Sequence, residues 1–164
     1  MRTIPGVHLS QEGVTLARRV GQELGPFARV ITSTLPRAFE TAIAMGFAVD
    51  EQVELMSTYG EFVEQEVPWP QPFAAYAKAV KRDKGAARYG QQLASYYKEL
   101  AASILDGHAA LVINHGGIVE LGVVASFQDA DYETWGGPVD YCEGARLSWQ
   151  DGKFVNAELL RVQA

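Results

Sequence analysis

Arg29-Val30-Ile31-Thr32-Ser33-Thr34-Leu35-Pro36-Arg37-Ala38-Phe39-Glu40-Thr41-Ala42 is the stretch on which the fold turns. The β-branched run over residues 29–32 favours an extended, pleated conformation and predicts a strand that ends at Ser33. Thr34-Leu35-Pro36 then opens a helix, since proline in the first helical turn lacks only an N–H that would be unpaired there anyway. In open α/β sheets ligands gather outside the C-terminal ends of strands, where helix N-termini present N–H groups to anions.

Working outward, a second strand-to-helix turn lies downstream. Ala109 to Ile113 is apolar without alternation and predicts a strand buried on both faces. It runs into Asn114-His115-Gly116-Gly117, ahead of a helix from Ile118 to about Phe127. Upstream, Ser10 is placed to cap a helix in which Val14, Ala17, Val20 or Gly21, and Leu24 share a face, with Gly25-Pro26 as a stop. Between the two turns, Gln52 to Leu55 reads as a short strand. Tyr59 to Pro72, proline- and glutamate-rich, reads as an irregular excursion able to form one wall of a site. Helical periodicity follows over Phe73 to Lys84 and Tyr89 to Leu105. After Trp135-Gly136-Gly137-Pro138, alternating stretches flank Asp151-Gly152, a strong signal for a β-hairpin, placed on the edge of the sheet.

The 164 residues suffice for one domain, 1–164, with one sizeable core. A net charge of -6 without a basic stripe argues against nucleic acid or an anionic membrane as partner. The longest apolar run is far shorter than a membrane span and Met1 to Pro5 has no apolar signal core, so a cytoplasmic, soluble protein is expected. Cys142 is the only cysteine; it allows no intramolecular disulfide and no Cys-based zinc cluster, and reads as a small buried apolar residue.

Arg37, in the first turn of its helix, can present a planar fork of donors to phosphate oxygens; the alternative is a solvated helical arginine. His115, between a buried strand and two glycines, can face the crevice while the N–H groups of Gly116 and Gly117 stay approachable; the alternative is a satisfied core histidine. His108 precedes the strand and reads as an exposed turn residue.

The pattern Ser-x-x-x-Arg-Ala-x-x-Thr-Ala over Ser33 to Ala42, the strand followed by His115-Gly116-Gly117, and Leu9-Ser10-x-x-Gly13 together resemble, in order, motifs of the histidine phosphatase superfamily (phosphoglycerate-mutase-like). The resemblance implies a three-layer α/β/α sandwich with a mostly parallel sheet. It also implies a phosphate site of Ser33, Arg37, His115 and the Gly116 amide, with His115 stabilising transition-state charge and neither metal nor cofactor required. Phosphorylated small molecules or phosphoproteins are the expected partners, with self-association into a homo-oligomer as a further expectation.

The family reaction runs through a phosphohistidine formed by the histidine of an Arg-His-Gly motif at the end of the first strand. This sequence contains no such motif. Aligning Thr3 with that histidine leaves too few residues before Leu9, so the expectation is that the first strand and its Arg-His precede Met1; a degenerate family member is the alternative. His8 is a weak replacement nucleophile, lacking a strand beneath it to hold near-attack geometry. Met56 stands where family members often carry the glutamate acid, making Glu61 the first substitute and Glu64 the second, both also readable as solvated acidic residues. The expected function is that of a phosphatase-like phosphomonoester hydrolase, inactive without the nucleophile; the alternative is a non-catalytic phosphate-binding or regulatory module. A mutase is a weaker expectation. Dinucleotide enzymes and serine hydrolases are weaker still, since neither Gly-x-Gly-x-x-Gly after a strand nor Gly-x-Ser-x-Gly occurs.

Overall fold

The structure is a computed structural model that describes residues 7–163. The described residues form two compact units, one of residues up to 58 together with 103–115, the other of residues 59–102 and those from 116 on.

The first unit holds α1 (Gln11–Gly21), β1 (Arg29–Thr32), α2 (Pro36–Met45), β2 (Glu51–Gln52) and β3 (Ala110–Ile113). Ser10 caps α1 as its sequence requires, its hydroxyl accepting from the Gly13 N–H at 3.1 Å. Gly21 lets α1 and α2 approach closely, because a Cβ there would lie 2.2 Å from the Met45 carbonyl oxygen. Gly46 ends α2 in the left-handed region at φ 97°, its N–H closing onto the last turn.

The strands form one parallel sheet of order β2-β1-β3, with Ile31 opposite Val112 and Thr32 opposite Ile113. β1 lies in the middle and buries Val30, Ile31 and Thr32. Among the described residues β3 pairs with β1 alone, and all four of its residues are part-exposed, so burial on both faces is corrected to partial burial. The short strand expected over Gln52 to Leu55 is also corrected. Only Glu51–Gln52 pairs, and residues 54–56 turn into a 3-10 helix once Val53 has donated its N–H to Thr32.

The second unit comprises α3 (Gly60–Glu66), α4 (Phe73–Ala79), α5 (Gly85–Ser103), α6 (Ile118–Ser126) and the strands β4 (Gly144–Gln150) and β5 (Lys153–Leu160). α3 corrects the reading of residues 59–72 as wholly irregular: Val63 and Val67 lie one turn apart and both bury their side chains, and the helix stops where Pro68 disfavours helical backbone at Val67. α4 is shorter than its periodicity implied, tightening to a 3-10 turn over residues 80–82 before Asp83 turns left-handed at φ 50°. α5 and α6 meet at small residues, with a Cβ on Gly90 falling 3.0 Å from the Ala125 Cβ. Phe73, Tyr76, Leu93, Ile118, Leu121 and Val124 form the core of this unit.

β4 and β5 pair antiparallel around Asp151-Gly152, whose φ values of 52° and 78° match the mirror-image turn that such a hairpin needs. Among the described residues the hairpin is a two-stranded sheet of its own, which corrects the expected pairing with the parallel sheet. Cys142 is half-buried with φ 61°, a turn position and not the core position its type implied. No helix among the described residues is long and apolar enough to cross a membrane.

Candidate functional site

Three of the residues singled out from the sequence come together in the first unit. Ser33, the fully buried residue at the end of β1, has its hydroxyl 2.7 Å from Nε2 of His115, at the end of β3. The pairing of β1 with β3 causes this, since the Ser33 N–H donates to the Ile113 carbonyl at 3.0 Å and brings the two strand ends level. The Ser33 hydroxyl also accepts from the Leu35 N–H at 3.3 Å, which ties it to the first turn of α2. Arg37 lies in that turn, half-buried, and acts on His115 electrostatically.

Burial, and then the Arg37 guanidinium, push the His115 imidazole down to about 4, so the ring is neutral at pH 7. Chemically, a neutral ring beside a fixed cation is able to receive an oxyanion: a guanidinium carries charge, an imidazole a switchable N–H, and a hydroxyl donates or accepts as required.

A hydrogen-bonded ring of side chains lies next to Ser33, and sequence reasoning missed it. The Thr34 hydroxyl is 2.6 Å from a Glu54 carboxylate oxygen and 2.7 Å from the Ser57 hydroxyl, which accepts from the Thr34 N–H at 3.1 Å. Ser57 is buried and Glu54 exposed. Glu54 is thus the carboxylate that this unit attaches to the signature loop, and the only cue in the sequence is its position just after β2. Met56 is fully buried, with its sulfur 3.7 Å from Asn114 Nδ2.

The signature also binds the chain's beginning. Glu40 accepts from the Leu9 N–H at 2.7 Å and pairs with His8 Nδ1 at 2.5 Å; these two bonds, the backbone one first, hold its carboxyl below the usual range. His108 is exposed, as expected, with Nδ1 3.2 Å from the Asp106 carbonyl oxygen.

Gly116, Gly117, Glu61 and Glu64 belong to the second unit. Glu61 is exposed in the first turn of α3, facing Gln65 at 3.5 Å, while Glu64 accepts from the Tyr59 hydroxyl at 2.5 Å. Gly116 lies against Trp69, whose indole nitrogen would be 2.4 Å from a Cβ there. Gly117, at φ 87°, packs under the Tyr59 ring. The expectation that the Gly117 N–H stays approachable is corrected, because it donates to the Glu120 carboxylate at 2.6 Å. Among the described residues no cluster of His, Cys, Asp and Glu could hold a metal ion.

The first unit is thus an α/β unit with a parallel sheet that brings Ser33, Arg37 and His115 together at its strand ends. The chain belongs to the histidine phosphatase superfamily (branch 1), whose family model matches residues 1–160. A phosphoserine phosphatase from Entamoeba histolytica, in complex with 3-phosphoglyceric acid, shares the fold at TM-score 0.69 and 17% identity, over 98% of this chain and 89% of that one. A mycobacterial glucosyl-3-phosphoglycerate phosphatase does so at TM-score 0.65 and 17% identity, over 94% and 86%. No curated protein matches the sequence closely enough to stand as a relative.

Proposed function

We propose that this protein binds the phosphoryl group of a phosphomonoester through Arg37, His115 and Ser33. The reaction it serves in its family is phosphomonoester hydrolysis. The observation that carries this reading is the Ser33–His115 contact of 2.7 Å beside Arg37, with the imidazole held neutral until an anion arrives. A bound phosphate dianion offsets the guanidinium charge and favours protonation of His115, so binding and His115 protonation reinforce each other. The phosphatases similar in fold, one for glucosyl-3-phosphoglycerate and one holding 3-phosphoglyceric acid, favour a small phosphorylated metabolite over a phosphoprotein.

Turnover requires an imidazole that attacks phosphorus in line. No Arg-His-Gly motif, which carries the nucleophile in the family, occurs in the 164 residues, and this reading is therefore of a phosphate binder without a phosphohistidine. Titration of inorganic phosphate or vanadate tests the site: Arg37→Ala weakens binding by roughly 1.5–3 kcal/mol, the range for charge-assisted hydrogen bonds. Unchanged affinity in that variant rejects the site. Mass analysis after incubation with p-nitrophenyl phosphate finds no phosphorylated chain, and a phosphohistidine there would restore the hydrolase reading.

A further inference from the structure

Residues 54–57 meet the Ser33–His115 pair from both of its flanks. On the Ser33 side they hold Thr34, the next residue. Its N–H donates to the Ser57 hydroxyl at 3.1 Å, and its own hydroxyl lies 2.6 Å from a Glu54 carboxylate oxygen and 2.7 Å from the same Ser57 hydroxyl. On the His115 side they reach Asn114, the preceding residue, whose Nδ2 is 3.7 Å from the Met56 sulfur. Val53, immediately ahead, ties the segment to the sheet by donating its N–H to the Thr32 carbonyl at 2.8 Å. All of these residues belong to the first unit.

Donor and acceptor chemistry fixes the order of these bonds. An ionised carboxylate only accepts, so the Thr34 hydroxyl gives its one proton to Glu54. The Ser57 hydroxyl is then the donor in its contact with the Thr34 hydroxyl, while its oxygen accepts from the Thr34 N–H. Thr34 is thus held by backbone and side chain at once. Ser33 depends on this, because its hydroxyl meets His115 Nε2 at 2.7 Å and accepts from the Leu35 N–H at 3.3 Å. Both contacts persist only while the link between Ser33 and Leu35 keeps its place, and Thr34 is that link. Met56 and Ser57 are buried and so closely packed, whereas Thr34 and Glu54 are exposed. Arg37 follows in the first turn of α2, so a shift at Thr34 reaches the cation as well.

We propose that Ser57 and Glu54 are positioning residues of the anion site: through Thr34 they bracket the turn after β1 and keep the Ser33 hydroxyl on the His115 imidazole. The inference rests on reading Ser33, Arg37 and His115 as that site. Ser57 and Glu54 act through Thr34 and not on the ligand.

The experiment follows the His115 ring resonances by NMR against pH in the wild type and in variants of the bracket. Thr34→Val removes the hydroxyl at an exposed position, so the turn loosens, water reaches the ring, and the His115 midpoint rises from about 4 by roughly one unit. Ser57→Ala, which also leaves the Thr34 N–H without its acceptor, moves the midpoint at least as far. Thr34→Ser keeps the hydroxyl and the wild-type midpoint. Glu54→Ala and Glu54→Gln lose the same charge, but only glutamine leaves an oxygen for Thr34, so the alanine variant titrates above the glutamine one. A bracket that is merely structural would lower the melting temperature of Thr34→Val and leave the His115 midpoint where it was. That result overturns the proposal, as does a Thr34→Ser midpoint shifted as far as that of Thr34→Val. If Ser57→Ala does not fold, the exposed Thr34 and Glu54 variants decide by the same criteria. Inorganic phosphate titrated into the same proteins separates the two readings: Thr34→Val is expected to bind it roughly fivefold more weakly. Failure of Arg37→Ala to weaken phosphate rejects the anion site, while the His115 midpoint still decides the bracket.

Discussion

The two strand-to-helix turns solve one local problem by different means. After β1 the chain needs no side-chain cap: Pro36 removes a donor, and Ser33, Thr34, Ser57 and Glu54 form a side-chain network within the first unit. After β3 the chain has only glycines, and a buried carboxylate at Glu120 does the fastening. The strands differ too: among the described residues β1 lies between two neighbours and is largely buried, while β3 pairs with β1 alone and is part-exposed. The first turn thus shares its fastening among several side-chain hydrogen bonds, whereas the second leans on one buried carboxylate, whose contacts each matter more.

The largest test of that contrast lies within one pair of facing residues. Ile31 is fully buried and sits opposite part-exposed Val112. Ile31→Ala should cost about 4 kcal/mol and Val112→Ala about 1 kcal/mol in denaturant unfolding. Equal costs would mean that β3 is as well covered as β1.

The next effect is a pH dependence carried by His115. Its folded midpoint of about 4 lies below the ordinary value of 6.5. Between those values the unfolded chain takes up a proton that the folded chain refuses. The sign is therefore a stability that is full above about pH 6.5 and falls as the pH drops toward 4, by at most roughly 3 kcal/mol from this group. Unfolding curves of wild type and His115→Gln across that window should diverge, with the variant losing this component.

Glycine substitutions probe the second turn. Gly117→Ala meets both φ 87° and the Tyr59 ring carbon at 2.6 Å, and should cost roughly 2–3 kcal/mol. Gly46→Ala, at φ 97° with open space around it, should cost about 1 kcal/mol. Thr34→Val should cost a similar amount, about 1 kcal/mol from the lost Glu54 and Ser57 contacts, read as a small shift in thermal midpoint. A larger loss there would make the first turn as dependent on polar contacts as the second.

Of the candidate site, Ser33, Arg37 and His115 were legible because each ends a strand or opens a helix, and such places are marked by short-range signals: β-branched residues, a proline, a glycine pair. Glu54 and Glu120 were not legible. Glu54 matters because Thr34 faces it from 20 residues away, and Glu120 looks in sequence like any helical glutamate. Glu61, the first substitute for the family's acid, is an exposed residue in the first turn of α3.

The sequence by itself determined the elements whose causes lie within a few residues: the Ser10 cap, β1 and the proline-led α2, the strand before His115, and the Asp151-Gly152 hairpin. Tertiary structure alone decided the order β2-β1-β3, the separation of the hairpin as its own sheet, the helix inside the proline-rich excursion, and the burial of Glu120. Propensity and periodicity act between chain neighbours, whereas strand order, burial and the partners of a carboxylate are set by residues far apart in sequence that only folding brings within reach.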